Sequence, residues 1–297
     1  MHYNSREETS LKNSVVTKLK TPYVSVNGSY GGNQSWFREI EKKSKGRTID
    51  QFGCGLVGAS DLLLHVLGES ILDGKYPAEN KLNHKSSKDK QTSSSKDMNI
   101  VSSEAYRDYI LSMEKKYFHI LPKLGISGVL LAWGLNIYFL INRKKIKEAT
   151  GGSLVARWAV WPTKILDKIK EMLSNDIPII LAIGPGFFKK EKLKFYNKIE
   201  ENGSVKFKHV TQTKDHYVTV TGVEEYLDQK TIDNNTSGKK SIDNKSSEKK
   251  PITMLEISSW GKRYYVNYDE YKKYVKKNDN YYFSNILYVK LRKKGQT

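Results

Sequence analysis

Apolar residues recur at helical spacing along Gln51-Phe-Gly-Cys54-Gly-Leu-Val-Gly-Ala-Ser-Asp-Leu-Leu-Leu-His-Val-Leu-Gly68, where Leu56, Ala59, Leu63 and Val66 share one face. This spacing predicts a helix from about Cys54 to Gly68. A second helical period runs through 103–117, with Ser102 or Ser103 placed to cap it. A third, over 162–173, is amphipathic, with Ile165, Ile169, Met172 and Leu173 on one side. Alternation predicts strands at 22–29, 216–222, 252–258, 262–267 and 281–291, and the apolar run 177–183 reads as a buried strand. A tyrosine-rich helix is expected from Tyr268 to Lys276.

Leu124 to Ile141 carries no charge and has lysine-rich flanks, the pattern of a minimal transmembrane helix. Three glycines, Ser127 and Asn136 argue instead for a buried helix or helix pair, and membrane spanning is not expected. Two stretches, about 80–99 and 228–251, are polar and of low complexity, so surface insertions are predicted there. The second contains a tandem repeat: Thr231-Ile-Asp-Asn-Asn-Thr-Ser-Gly-Lys-Lys240 is followed at once by Ser241-Ile-Asp-Asn-Lys-Ser-Ser-Glu-Lys-Lys250. So polar a unit has no core to stack and reads as an expanded loop. Residues 1–20 are polar and charged and are expected to form a disordered arm, leaving a single domain over 21–297.

Composition changes this picture in two ways. The formal charge is +19, yet only 8 of the 51 basic residues are arginines. Arginine is the usual reader of phosphates and bases, so solvated lysine is the better account and no specific nucleic-acid partner is expected. A single cysteine excludes an internal disulfide framework. With no apolar signal core in the first twenty residues, a cytoplasmic location is the expectation.

That one cysteine, Cys54, stands between Gly53 and Gly55 at the start of the first helix. Unpaired backbone N–H groups and the positive end of the helix dipole stabilise a thiolate there. The flanking glycines permit a tight turn and leave the sulfur approachable. Either a nucleophile or a small inert buried thiol fits this stretch. A nucleophile needs a base, and six histidines are on offer. His2 and His84 lie in the polar segments. His65 lies on the same helix, roughly 16 Å along it from Cys54 at 1.5 Å per residue. His119 ends a helix with nothing notable beside it. His209 and His216 flank a strand start, and His216 opens the better strand.

The order of Tyr30-Gly-Gly-Asn-Gln34-Ser-Trp36, then Gly53-Cys54-Gly55 with its helix, then His216-Tyr-Val-Thr-Val-Thr-Gly222, then Ser258-Ser259-Trp260-Gly261 resembles papain-like cysteine peptidases, most closely the double-glycine-leader, bacteriocin-processing-like branch. The resemblance implies an α+β fold with the nucleophile helix packed on an antiparallel sheet. It implies Cys54 as nucleophile, His216 as general base and acid, and the Gln34 side chain as an oxyanion donor beside the Cys54 backbone N–H. It places Trp36, Gly53, Gly55 and Trp260 along the cleft, and a peptide or amide substrate in it. Gln51 is a rival donor, but three residues before the thiol its amide has little room to fold back. Where the superfamily has Asn or Asp to orient the imidazole, this chain has Ser258. Either Ser258 or Ser259 supplies a shorter, uncharged hydroxyl, or another group substitutes. A module that keeps the fold and binds peptide without cleaving it is therefore the alternative. No cofactor is implied, and the absence of a clustered Cys/His set or a His-Glu-x-x-His run gives no metal site.

Overall fold

The computed structural model describes residues 11–41, 48–72, 100–121, 123–185, 191–201, 204–228, 251–278 and 280–292. In chain order these form β1 (Leu11–Lys18), β2 (Ser25–Val26), β3 (Ser29–Tyr30), a 3-10 turn (Gln34–Phe37), α1 (Arg38–Glu41), α2 (Ile49–Phe52) and α3 (Cys54–Leu67). After the first polar insertion come β4 (Ile100–Val101), α4 (Ser103–Lys116), α5 (Gly128–Ile141), α6 (Arg143–Thr150), β5 (Ser153–Trp158), α7 (Ile165–Ser174) and β6 (Ile179–Ile183). The chain continues through β7 (Leu193–Glu201), β8 (Ser204–Thr213) and β9 (His216–Asp228). Beyond the second insertion lie β10 (Ile252–Ser259), β11 (Lys262–Asn267), α8 (Tyr268–Asn278) and β12 (Ile286–Arg292). The fold is α+β with a mostly antiparallel sheet. Both low-complexity insertions, with the tandem repeat, lie outside the described residues.

Two compact units interleave along the chain. The first holds residues 1–20, 159–258 and 263–287; the second holds 21–158, 259–262 and 288–297.

In the first unit the hydrogen-bonded strand order is β1-β8-β7-β11-β10-β9-β6-β12, and β1 also pairs with β9. The strands from β9 through β10, β11, β7 and β8 to β1 therefore close on themselves as a ring. The thirteen-residue β9 makes this possible. Its first half pairs with β6 (Ile183↔His216 to Ile179↔Val220) and its second half with β1 (Lys18↔Gly222 to Leu11↔Asp228). Helix α7 packs against β1, β9 and β6 through the stripe Ile165, Ile169, Met172 and Leu173, all buried. The N-terminal segment departs from the sequence expectation. Leu11–Lys18 is a paired strand, held by the β9 ladder and by Lys18, whose ammonium lies 2.8 Å from each of the buried carboxylates of Glu224 and Glu256. Composition alone hides such a strand, because its specification comes from the partner.

In the second unit α3 packs on α4 and α5. Ser102 caps α4 by accepting the Ala105 N–H at 3.2 Å, and Gly68, with φ +71°, ends α3. Strand β5 hydrogen-bonds to β12, whose residues from Tyr288 onward belong to this unit. Asn136 on α5 ties that helix to β5, donating to Ala156 O at 3.0 Å and accepting the Ala156 N–H at 2.9 Å. Helix α5 is shorter than the apolar run around it and is buried on one side only. Leu131, Leu135, Tyr138 and Phe139 enter the core, whereas Leu130, Trp133, Leu140 and Ile141 are exposed. Among the described residues no helix is long and apolar enough to cross a membrane.

Candidate active site

Cys54 is the first residue of α3, and Gly53, with φ −85° and ψ 5°, is the N-cap, making no side-chain cap bond. A capping Ser or Asp would have occupied the first amides of the helix; glycine leaves them to other acceptors. The same glycine is required by packing. A Cβ there would lie 2.5 Å from the Ile49 carbonyl oxygen, which accepts the Gly53 N–H at 2.8 Å and turns α2 into α3. Gly55 is buried in the first turn of α3. Cys54 itself is partly exposed.

The second unit holds six of the residues expected at the site: Gln34, Trp36, Gly53, Cys54, Gly55 and Trp260. Gln34 opens the 3-10 turn that follows the double glycine, and its carboxamide donates to the backbone carbonyl of Asp50 on α2 at 2.9 Å. An amide nitrogen carries two hydrogens, so this bond anchors the side chain and leaves one donor unused by it. The Ser-Trp-Gly segment lies against the same glycine loop. The Tyr30 N–H donates to Gly261 O at 2.9 Å, and the Gly261 N–H donates to Gly32 O at 3.0 Å. Trp260 and Gly261 both have positive φ, 50° and 72°, the geometry of a two-residue hairpin turn between β10 and β11. A Cβ on Gly261 would touch Asn33, Ser29 and Trp36, so this turn seats closely on the loop that carries Gln34 and Trp36. Motifs more than 220 positions apart in sequence thus share one small hydrogen-bonded substructure.

Asp61, absent from the motif reading, holds that substructure from behind. It lies seven residues after Cys54 on α3, on the same helical face, and is buried. Its carboxylate accepts the Gly32 N–H at 2.9 Å, the Tyr106 hydroxyl at 2.6 Å and the Tyr23 hydroxyl at 3.3 Å. Burial raises the Asp61 pKa to about 6, against these three hydrogen bonds, which lower it. Tyr106 also meets Trp36 edge to face at 5.9 Å. The available signal was a lone carboxylate within an otherwise apolar helical stripe.

In the first unit His216 opens β9 after Asp215, a residue with φ +52°. It is buried, and burial lowers its pKa to about 4, so at neutral pH the ring is an uncharged imidazole able to accept a proton. Ser258 is buried on the neighbouring strand, directly across from Thr219. Side chains alternate along a strand, so Ser258 shares a face with Thr219, while His216 shares the opposite one with Val218 and Val220. The structure does not bring Ser258 to the imidazole's face. Among the described residues no group of His, Cys, Asp and Glu is arranged to hold a metal ion.

Comparison with protein-family models, with curated proteins and with solved structures finds no match.

Proposed function

We propose that the chain is a papain-like thiol hydrolase that cleaves a peptide or related amide bond. The observation that carries this reading is the construction around α3. A partly exposed cysteine opens a helix capped only by glycine, in the unit where Gln34 is anchored to the preceding helix and the Trp260-Gly261 turn is fastened to the loop bearing Gln34.

In this proposal His216 takes the proton from the Cys54 thiol and the sulfur attacks the substrate carbonyl carbon. The Cys54 backbone N–H and the free hydrogen of the Gln34 amide bind the oxyanion. The tetrahedral adduct collapses as the C–N bond breaks, and the imidazolium gives its proton to the departing amine. Water, deprotonated by His216, then splits the thioester, releasing a carboxylic acid and restoring the thiol. The test is alkylation with iodoacetamide at mildly acidic pH. Cys54 should react faster in the native than in the unfolded chain, Cys54→Ala should remove all labelling, and His216→Ala should slow it. Equal rates for native and unfolded protein would defeat the reading.

Serine in place of Asn or Asp at 258 favours one alternative, a module that binds peptide in the same cleft without cleaving it. Without an Asn or Asp at the third position the imidazolium is less well stabilised. Peptide binding with no release of a new amine, unchanged by Cys54→Ser, would establish that alternative.

A further inference from the structure

The outer side of α5 is an unbroken apolar strip. At 100° per residue, Val129, Leu130, Trp133, Ile137, Leu140 and Ile141 fall within one arc of about 120°. The buried Gly128, Leu131, Ala132, Gly134, Leu135, Tyr138 and Phe139 fill the rest, apart from Asn136, whose amide is spent on β5. Exposure on the strip is high: 61% for Trp133, 72% for Leu140 and 66% for Ile141, with Leu124 in the turn before the helix at 82%. A soluble surface scatters such side chains singly; a contiguous strip of them marks an interaction face.

The charge along the chain on either side of the strip is predominantly basic. Between His119 and Gly152 the chain has Lys123 ahead of α5, Arg143, Lys144, Lys145 and Lys147 on α6, and Glu148 as the sole acid. Lys123, Arg143, Lys144, Lys145 and Lys147 are all exposed. A second copy of the chain packed on this face would set these basic flanks against their equals. An anionic surface would neutralise them. At fourteen residues α5 is about 21 Å long, short of the roughly 30 Å hydrocarbon thickness, so its geometry suits lying in a membrane surface and not crossing it.

We propose that the exposed face of α5, with its basic flanks, docks the protein on an anionic lipid bilayer. The strip enters the acyl boundary, Trp133 sits at headgroup level, and the cations of Lys123 and α6 meet lipid phosphates. This inference is independent of the hydrolase reading.

The test is co-sedimentation of the full chain at low salt with vesicles of phosphatidylcholine plus phosphatidylglycerol, and with vesicles of phosphatidylcholine alone. Binding to the anionic vesicles should exceed binding to neutral ones by at least about tenfold. The triple change Leu130→Ser, Trp133→Ser, Leu140→Ser should reduce it by about tenfold or more, with native circular dichroism retained because these side chains lie outside the core. Lys144→Glu with Lys145→Glu should reduce it as well, keeping the apolar strip intact. No binding to anionic vesicles overturns the proposal. Equal binding by the native chain and the triple variant also overturns it, since that is general adsorption of a lysine-rich surface. A lipid-free dimer dissolved by the triple change overturns it in favour of self-association.

Discussion

Burying a carboxyl group and burying an imidazole have opposite consequences in acid, and this chain does both. Asp61 has its pKa raised from 3.8 to about 6, so the folded state holds a proton that the unfolded chain has released. Its contribution to stability is present below about pH 4 and is lost as pH rises through about 6. His216 has its pKa lowered from 6.5 to about 4, so the unfolded chain binds the extra proton. Its contribution is present above about pH 6.5 and is lost as pH falls through about 4. Each shift corresponds to roughly 3 kcal/mol at full amplitude, and the two largely cancel between pH 4 and 6. Unfolding by urea across this range should therefore show a shallow pH dependence in the native chain. In Asp61→Asn the opposing slope disappears, and stability should rise steeply with pH by about 2–3 kcal/mol. His216→Gln should show the reverse, a fall with rising pH. Parallel profiles for all three proteins would refute the assignment.

At the scale of elements, the loop that carries Gln34 is fixed by close contact as much as by hydrogen bonds. A Cβ on Gly32 would lie 1.9 Å from the Tyr106 hydroxyl, which is the group that donates to Asp61. Gly32→Ala must push either the loop off α3 or the hydroxyl off the carboxylate. Overpacking of this kind costs about 1–3 kcal/mol, measurable as a lower urea midpoint at unchanged slope. Adding Tyr106→Phe removes the hydroxyl but leaves the ring carbons Cζ and Cε1 at 2.4 and 2.8 Å from that Cβ and takes a donor from Asp61, so it should not restore the native midpoint. If Gly32→Ala is as stable as the native chain, the loop is not pinned in this way. The hairpin turn at Trp260 and Gly261 shows the same economy. It closes β10 onto β11 and also supplies two of the hydrogen bonds that hold the glycine loop, beside that of the Gly32 N–H to Asp61.

Across the whole molecule, the first unit carries its charge inside as well as outside. Glu224 and Glu256 are buried on adjacent strands of the ring. Lys18 bridges them, Lys198 approaches Glu224 at 3.0 Å, and Arg263 approaches Glu256 at 3.5 Å. The Tyr265 hydroxyl donates to Glu256 at 3.2 Å, and Tyr226 donates to Glu224. Burial opposes ionisation of Glu224, and hydrogen bonds from Lys18, Tyr226 and Lys198 outweigh it, holding that carboxyl below the ordinary range. Removing Lys18 leaves Glu224 to Lys198 and Tyr226, and Glu256 to Arg263 and Tyr265, so each buried carboxylate loses one of its two cations. Lys18→Met should cost about 2 kcal/mol at neutral pH, less than a fully buried pair because the Lys18 side chain is itself partly exposed. The loss should shrink in acid as Glu224 protonates. A midpoint unchanged at neutral pH would show that Lys18 adds nothing to the ring.

What the amino-acid order determined by itself is local. Spacing of apolar residues located α3, α4, α7 and α8 within a few positions, because a helix buries a stripe that repeats every 3.6 residues wherever it packs. Ser102 as N-cap of α4 was legible for the same reason: capping is settled within four residues. Cys54 between two glycines at a helix start was equally plain. The β7–β8 hairpin and β1 were not, since strand pairing rewards contacts between distant segments and leaves only a weak trace in each strand alone. The Ser258 position was legible as a residue but not as a geometry. Register with Thr219 decides which face it takes, and register is a property of two strands together. Asp61 was a lone acid in an apolar run until folding brought Gly32, Tyr23 and Tyr106 to it. Its role depends on segments roughly 30 to 45 residues away, and only tertiary structure could supply donors to a carboxylate that α3 carries out of water.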